Sequence, residues 1–242
     1  MNVIAQNRQT RLVSFSGIDG AGKSTQIDAL RSRLQEAGLR VLLITFWDDV
    51  ARLTRIREVT GQTLFRGDKG VGTPDAPIVR RDKNVRSRLM TAVRLGLYFL
   101  DAVWLRIVIQ RALRAPAALV ICDRYIYDEL ANLALRNPAI RLYVRLIMKL
   151  VPRPHIIYLL DADPAEAFAR KPEYPLEFLY TSRESYLALS NLVGGMTIVA
   201  PMPARDVERQ VLEHALKLLS VVDSQDEQAA RSTILPASEP VE

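Results

Sequence analysis

The feature that most constrains this chain is a glycine-rich segment near the start of the sequence, Gly17-Ile-Asp-Gly-Ala-Gly-Lys-Ser24. It matches the pattern G-x-x-x-x-G-K-[ST] at every fixed position. An apolar run at residues 12–15 comes before it, and Ile27, Leu30 and Leu34 follow it at helical spacing. The sequence therefore predicts a buried strand, a sharp loop and a helix in that order.

The residue types in this loop predict a binding site for phosphate groups. Gly17, Gly20 and Gly22 allow positive φ angles, which turn backbone N–H groups inward, and the start of the helix adds its dipole. Lys23 is predicted to reach the β- and γ-phosphates of a nucleoside triphosphate, and the Ser24 hydroxyl to ligate Mg²⁺. ATP with Mg²⁺ is the expected ligand.

Short apolar runs alternate with helical patterns along the rest of the chain. Buried strands are predicted at residues 12–15, 41–46, 119–122, 156–160 and 196–199. Helices are predicted at residues 24–37, 86–114, 139–150, 164–170, 176–192 and 204–221. This alternation indicates an α/β fold with a five-stranded parallel sheet, helices on both faces and ligands at the carboxyl ends of the strands. Together with the glycine-rich motif, it predicts the P-loop NTPase fold.

The organisation along the chain predicts one domain and a tail. With 242 residues in all, we expect a single domain over residues 1–222. A stretch rich in glycine and proline predicts a mobile loop at about residues 61–85. Residues 223–242 are polar and acidic and are predicted to form a disordered tail.

Composition narrows the classes of function. Cys122 is the only cysteine, so an intrachain disulfide is excluded. The chain has only two histidines, so few residues could ligate zinc. The formal charge of +6 suits an anionic substrate. No uncharged apolar run approaches the ~20 residues of a membrane span, and residues 1–10 lack a signal-like apolar region. We expect a cytoplasmic protein without a membrane partner.

The loop and three later motifs resemble those of thymidylate kinases. The family's P-loop is similar to Ser16-Gly-Ile-Asp-Gly-Ala-Gly-Lys-Ser-Thr-Gln26, and its Asp-Arg-Tyr motif to Asp123-Arg-Tyr125. Leu160-Asp-Ala-Asp-Pro-Ala-Glu-Ala-Phe-Ala-Arg170 resembles the segment that enters the family's lid, and Arg183-Glu-Ser-Tyr186 the helix that leaves it. The resemblance covers roughly residues 11–222, in order. It implies a nucleotide kinase-like phosphotransferase that uses ATP and Mg²⁺ on a nucleoside monophosphate, with a dTMP-like acceptor favoured and a lid at about residues 170–177.

The resemblance also implies roles for individual residues. Lys23, Arg170 and Asp123 are the catalytic candidates, with Arg170 neutralising charge on the transferred group and Asp123 holding metal waters. Asp19 faces the sugar of the acceptor, and Arg124 grips its phosphate. The residues implied to contact ATP are Gly17, Asp19, Gly20, Ala21, Gly22, Lys23, Ser24, Thr25 and Lys171.

Some implied roles compete with ordinary structural ones. Phe99 stands where the family places an aromatic ring against the acceptor base, but its apolar neighbours also fit a core position. Asp123 and Arg124 also fit a structural ion pair, and Arg170 a solvated helix end. Because Gly20 occupies the P-loop position where some relatives have an arginine, Arg170 and Lys171 are the candidates for the catalytic charge.

The departures from the family fall on the acceptor side. Phe46-Trp-Asp-Asp-Val50 replaces a segment with a phosphate-binding arginine, and Val103 stands where the long helix has another. Arg52, Arg55 or Arg106 are possible replacements. The acceptor therefore stays open. One alternative is a kinase that acts on another small phosphorylated or hydroxylated molecule. The other is a non-kinase ATP-binding protein associated with nucleic acid. We do not expect nucleic acid as the partner, and the sequence leaves a homodimer open.

Overall fold

The computed structural model describes residues 10–51 and 88–234, with side chains described at 10–51 and 91–220. The strands are β1 (Arg11–Ser16), β2 (Val41–Thr45), β3 (Leu119–Asp123), β4 (Ile156–Leu160) and β5 (Thr197–Val199). The helices are α1 (Lys23–Glu36), α2 (Arg88–Leu113), α3 (Ile126–Leu130), α4 (Pro138–Leu150), α5 (Pro164–Arg170), α6 (Leu176–Val193) and α7 (Ala204–Ile234).

The strands form one parallel sheet in the order β2-β3-β1-β4-β5. The predicted five-stranded parallel sheet and α/β fold class are confirmed. In the sheet Phe15 of β1 lies beside Asp123 of β3 and Tyr158 of β4. This register brings the carboxyl ends of the three central strands to one edge, where the loop that follows β1 begins.

Two hydrophobic layers cover the sheet, because successive side chains of a strand point to opposite faces. Val13 and Phe15 pack with α1 and α7 on one face. Leu12 belongs to the layer on the other face, with α2, α3, α4 and α6. Burial on both faces explains why the strands read as continuous apolar runs rather than alternating ones.

The last helix is longer than the sequence predicts. α7 continues to Ile234, so residues 223–234 are helical rather than disordered. Residues 223–235 contain no glycine or proline and include several good helix formers, so nothing in them stops the helix before Pro236. The rest of the predicted tail and the predicted loop at 61–85 lie outside the described residues. Within the described part of the chain, no helix has both the length and the apolarity that a bilayer crossing needs.

Candidate active site at the carboxyl edge of the sheet

The loop between β1 and α1 has the backbone that its motif predicts. Gly17, Gly20 and Gly22 have φ angles of 143°, 83° and 87°. A Cβ atom added at Gly17 would lie 2.5 Å from the carbonyl oxygen of Leu160. One added at Gly20 would lie 2.4 Å from the carbonyl oxygen of Ala167. Two of the glycines are therefore required by close packing against β4 and α5 as well as by the turn itself.

Lys23 is buried at the first turn of α1, with its ammonium directed into the loop. Its Nζ donates to the carbonyl oxygens of Gly17 and Ile18, each at 2.8 Å. Burial, with a smaller contribution from the charge of Arg124, lowers the pKa of Lys23 to about 8, although Asp19 lies 3.9 Å away and acts in the opposite direction. The loop thus holds a buried cation whose charge is costly and which gains from an added anion.

Arg124 follows β3 and lies directly beside the loop. Its φ of 64° is in the left-handed region, which is uncommon for residues other than glycine, and its N–H donates to the Phe15 carbonyl at 3.0 Å. One end of its guanidinium donates to Asp19, and Nη1 donates to Asp128 at 3.2 Å. Burial disfavours its charge, but the carboxylates of Asp128 and Asp19 outweigh burial and raise the pKa of Arg124.

Asp19 and Arg124 therefore form a partly buried ion pair that joins the loop to the end of β3. Burial acts to raise the pKa of Asp19, yet Arg124 and then Lys23 outweigh it, so the pKa lies below its ordinary value. Asp19 is ionised at neutral pH. Of the three residues to which the sequence assigns acceptor contacts, two, Asp19 and Arg124, are brought together.

Asp128 is a member of this network that the sequence analysis missed. It is buried, and its carboxylate accepts from the Ser16 hydroxyl at 2.7 Å, the Tyr125 N–H at 3.1 Å and the Tyr186 hydroxyl at 2.8 Å, besides Arg124. The one available signal is local. An acidic residue three positions after Tyr125 is the spacing of a capping box at the start of α3.

The predicted metal ligands lie at the same edge. Asp123 ends β3, and burial raises its pKa although Arg124 and Lys23 act against that shift. Ser24 is exposed in the first turn of α1. A hydroxyl and a carboxylate are the hard oxygen donors that Mg²⁺ takes, and a carboxylate disfavoured by burial gains from a nearby cation. These residues fit the metal that the motif implies.

The predicted lid is the short segment between α5 and α6. Arg170 ends α5 and is 54% exposed, and its Nε donates to the Gly20 carbonyl at 3.0 Å. The charge of the next residue, Lys171, is close enough to contribute to the lowered pKa of Asp19. Both lid cations that the sequence singles out therefore lie beside the glycine loop.

The helix that leaves the lid is tied to the sheet. Arg183 of α6 makes a two-pronged ion pair with Asp161, which follows β4, at 2.6 and 2.7 Å. This fork geometry fixes direction as well as distance. One turn further along α6, Tyr186 reaches Asp128. The lid helix is thus anchored to the same edge of the sheet as the loop.

Comparison with known proteins identifies the family. No family model matches, but the chain is 30% identical over 209 residues to a probable thymidylate kinase of Pyrobaculum aerophilum, which covers 83% of this chain and 94% of that protein. It is 28% identical over 207 residues to one of Pyrobaculum calidifontis, covering 83% and 93% of the two chains. The chain belongs to the thymidylate kinase family. Membership confirms the predicted resemblance and the prediction of a nucleotide kinase-like phosphotransferase.

This thymidylate kinase family member has an unusual turn after β2. Phe46–Val50 forms a π-helical turn whose two end residues are buried, while Asp48 and Asp49 are exposed. Asp49 has a structural task, because its carboxylate accepts from the Thr45 N–H at 2.8 Å and its carbonyl accepts from Trp104 at 3.1 Å. Two exposed carboxylates therefore stand at a sheet end where the family pattern has a basic residue.

The long helix α2 carries two residues to which the sequence analysis gives acceptor-side roles, Phe99 and Arg106. Phe99 is 48% exposed, so its alternative interpretation as a core residue is wrong. Its contact with an acceptor base stays a prediction. Arg106 donates to the Leu150 carbonyl at 2.7 Å, which is a contact with the end of α4 and not with the loop. Arg52 and Arg55 lie outside the described residues.

Proposed function

We propose that this thymidylate kinase family member transfers the γ-phosphoryl group of ATP to a nucleoside monophosphate, with dTMP as the favoured acceptor. One observation carries the proposal. Ion pairs link Lys23 and Asp19, at a glycine loop of the P-loop type, to Arg124 and Asp128, which follow β3. Asp19 is close to Lys23 of the donor part and pairs with Arg124 of the acceptor part. The two phosphates would therefore be bound close together, as direct transfer requires.

The donor side consists of the glycine loop and its buried lysine. Lys23 Nζ donates to two loop carbonyls. We infer that it exchanges these for β- and γ-phosphate oxygens, while the loop N–H groups, with Ser24 and Thr25 at the start of α1, hold the remaining phosphate oxygens. Mg²⁺, held by Ser24 and Asp123, would neutralise charge on the phosphates.

The transfer step asks mainly for alignment and charge neutralisation. Arg170 and Lys171 come from the lid, and Arg170 donates to the Gly20 carbonyl. We infer that these two cations would neutralise charge on the transferred γ-phosphoryl group. On the other side Arg124 is the group that would bind the acceptor phosphate, and Asp19 the group that would accept from an acceptor hydroxyl. A two-pronged guanidinium suits a phosphate.

ATP binding is expected to weaken as pH rises through about 8, because the pKa of Lys23 is lowered to about 8 by burial. Bound phosphate stabilises the ammonium and raises this pKa. Below it Lys23 is already charged, and binding takes up no proton. Above this pKa Lys23 must take up a proton when ATP binds, so the affinity for ATP falls by up to about tenfold per pH unit.

Calorimetric titration with a non-hydrolysable ATP analogue, in buffers of different ionisation enthalpy, measures this uptake. We expect proton uptake at about pH 9 and little at about pH 7. Lys23→Met should bind weakly at both pH values and show no uptake. A dissociation constant of the wild-type protein that does not change across this range would contradict the assignment of Lys23.

The proposed reaction is tested by ADP formation with a panel of nucleoside monophosphates and nucleosides. We expect turnover with at least one monophosphate, dTMP first among them, well above that of a Lys23→Ala variant that retains its fold. Turnover with none of them above this variant would contradict the proposal. A thermal-shift screen is a useful first step, since a ligand at 100 times its Kd adds about 2.7 kcal/mol of stability.

A different acceptor is the second candidate, and one observation favours it. Asp48 and Asp49 are exposed beyond β2, where they would repel a phosphate placed beside them. A nucleoside or another hydroxylated molecule would meet no such repulsion. In the same panel this candidate predicts turnover with nucleosides and not with monophosphates. ATP hydrolysis without transfer would instead support the non-kinase alternative.

A further inference from the structure

The two oxygens of the Asp128 carboxylate serve different partners. Oδ2 accepts from Ser16 and from the Tyr125 N–H, which ties the start of α3 to the end of β1. Oδ1 accepts from the Tyr186 hydroxyl at 2.8 Å and from Arg124 Nη1 at 3.2 Å. One oxygen therefore stabilises the fold, and the other contacts a side chain of the proposed acceptor site.

Arg124 depends on these contacts for its orientation. Its backbone is in the left-handed region, an arrangement that persists only where surrounding contacts impose it. One end of its guanidinium is held by Asp19 and the other by Asp128. A guanidinium held at both ends has a fixed plane, whereas an arginine held at one end keeps rotational freedom that a ligand must remove.

We propose that Asp128 is a positioning residue, which fixes the plane of Arg124 for the acceptor phosphate. This inference rests on the proposed function. Capping of α3 alone explains the contacts of Oδ2, but it does not explain why Oδ1 accepts from Arg124. The Tyr186 hydroxyl, which donates to the same Oδ1, keeps that oxygen directed toward Arg124.

Asp128→Asn is the most direct variant. The amide oxygen of the new side chain can still accept from Ser16 and Tyr125. Its NH2 group replaces the oxygen that faces Arg124, and an NH2 group cannot accept a hydrogen bond from the guanidinium. We expect the KM for the monophosphate acceptor to rise about tenfold or more, with the KM for ATP within about twofold of wild type. An unchanged acceptor KM together with a lower melting temperature would show that Asp128 only caps α3.

A double-mutant cycle separates an effect through Arg124 from a general one. The Arg124→Lys variant has no guanidinium for Asp128 to hold in one plane. Adding Asp128→Asn to this variant should therefore change the acceptor KM by less than about twofold. If instead the fold-change of Asp128→Asn is the same with Arg124 and with Lys at that position, the two residues act independently and the proposal is wrong.

Single hydrogen-bond deletions keep the test valid if Asp128→Asn does not fold. Tyr186→Phe removes a donor to Oδ1, and Ser16→Ala removes one to Oδ2. We expect Tyr186→Phe to raise the acceptor KM a few-fold, and Ser16→Ala to lower the melting temperature and leave that KM unchanged. The reverse pattern would overturn the proposal.

A measurement without turnover distinguishes failure of this inference from failure of the proposed function. NMR of the arginine guanidinium groups should give separate Nη signals for Arg124, assigned by their loss in Arg124→Lys, because rotation about Nε–Cζ is blocked at both ends. In Asp128→Asn these signals should merge. Separate signals in both proteins, or merged signals in both, would contradict the positioning role even if no monophosphate is phosphorylated.

Discussion

Replacing Arg170 with alanine is expected to lower kcat for phosphoryl transfer by about a thousandfold, with a small change in the KM for ATP. A positioned arginine that neutralises charge on the transferred phosphoryl contributes about 10³ to 10⁵ in rate in P-loop enzymes. Arg170 fits that task because its Nε donates to the Gly20 carbonyl at 3.0 Å, which holds the guanidinium beside the glycine loop. Steady-state kinetics with saturating acceptor give the comparison.

Matched variants show whether this effect is specific to Arg170. Lys171→Ala should lower kcat less, by about tenfold, since a lysine acts as a point charge and cannot contact two oxygens through a fork. Arg209→Ala removes an arginine that is 70% exposed on α7 and pairs with Asp206, so its kcat should match that of the wild type. A loss below tenfold in Arg170→Ala would assign the catalytic charge elsewhere.

The glycine loop predicts the largest effect on stability. Gly20→Ala is expected to lower the free energy of unfolding by about 3–4 kcal/mol. About 1–2 kcal/mol of this loss comes from placing a residue other than glycine at a positive φ angle. About 1–3 kcal/mol comes from forcing a methyl group against packed atoms. The nearest atoms to the new Cβ are the backbone O, C and Cα of Ala167, at 2.4, 2.9 and 3.0 Å, so no flexible side chain can yield.

Gly38→Ala is the control for the backbone contribution. Gly38 has a φ of 76°, close to the 83° of Gly20, but no atom lies within 4 Å of its added Cβ. The free energy of unfolding of Gly38→Ala should fall by only about 1–2 kcal/mol. Urea unfolding of both variants measures the difference. Equal losses in the two variants would show that the approach of α5 to the loop is looser than the structure describes.

The elements of the fold follow from patterns that are local in sequence. The three central strands, β1, β3 and β4, are buried on both faces, and all five strands read as apolar runs. The strands are therefore predicted to within one or two residues at either end. The glycine loop is predictable for the same reason, because its conformation is imposed by residues next to one another. There are two exceptions. The short helix α3 was not predicted. The length of α7 was underestimated, because the acidic composition of its last residues suggested disorder although these residues include good helix formers.

The network around Arg124 was only half predictable. Motif resemblance supplied Asp19 and Arg124, but not Asp128, whose partners Ser16 and Tyr186 are 112 and 58 residues away in sequence. Contacts over such separations are set by the sheet order and by the return of α6 to the sheet. No pattern along the chain contains them.

The exposure of Phe99 illustrates the same limit. Its apolar neighbours in sequence suggested a core position, but neighbours along a helix point in different directions. Tyr98 is buried while Phe99 and Leu100 are about half exposed, at 48% and 51%. Which residue of such a run faces the core depends on how the helix is rotated, and packing decides that rotation.

Transfer of labelled phosphate tests the central claim most directly. The protein is incubated with Mg²⁺, ATP labelled in its γ-phosphate and dTMP, or each other nucleoside monophosphate in turn, and the products are separated. The account predicts that the label appears in a nucleoside diphosphate, and that Lys23→Ala abolishes this product. Label found only as inorganic phosphate, or left entirely in ATP with every monophosphate, would contradict it.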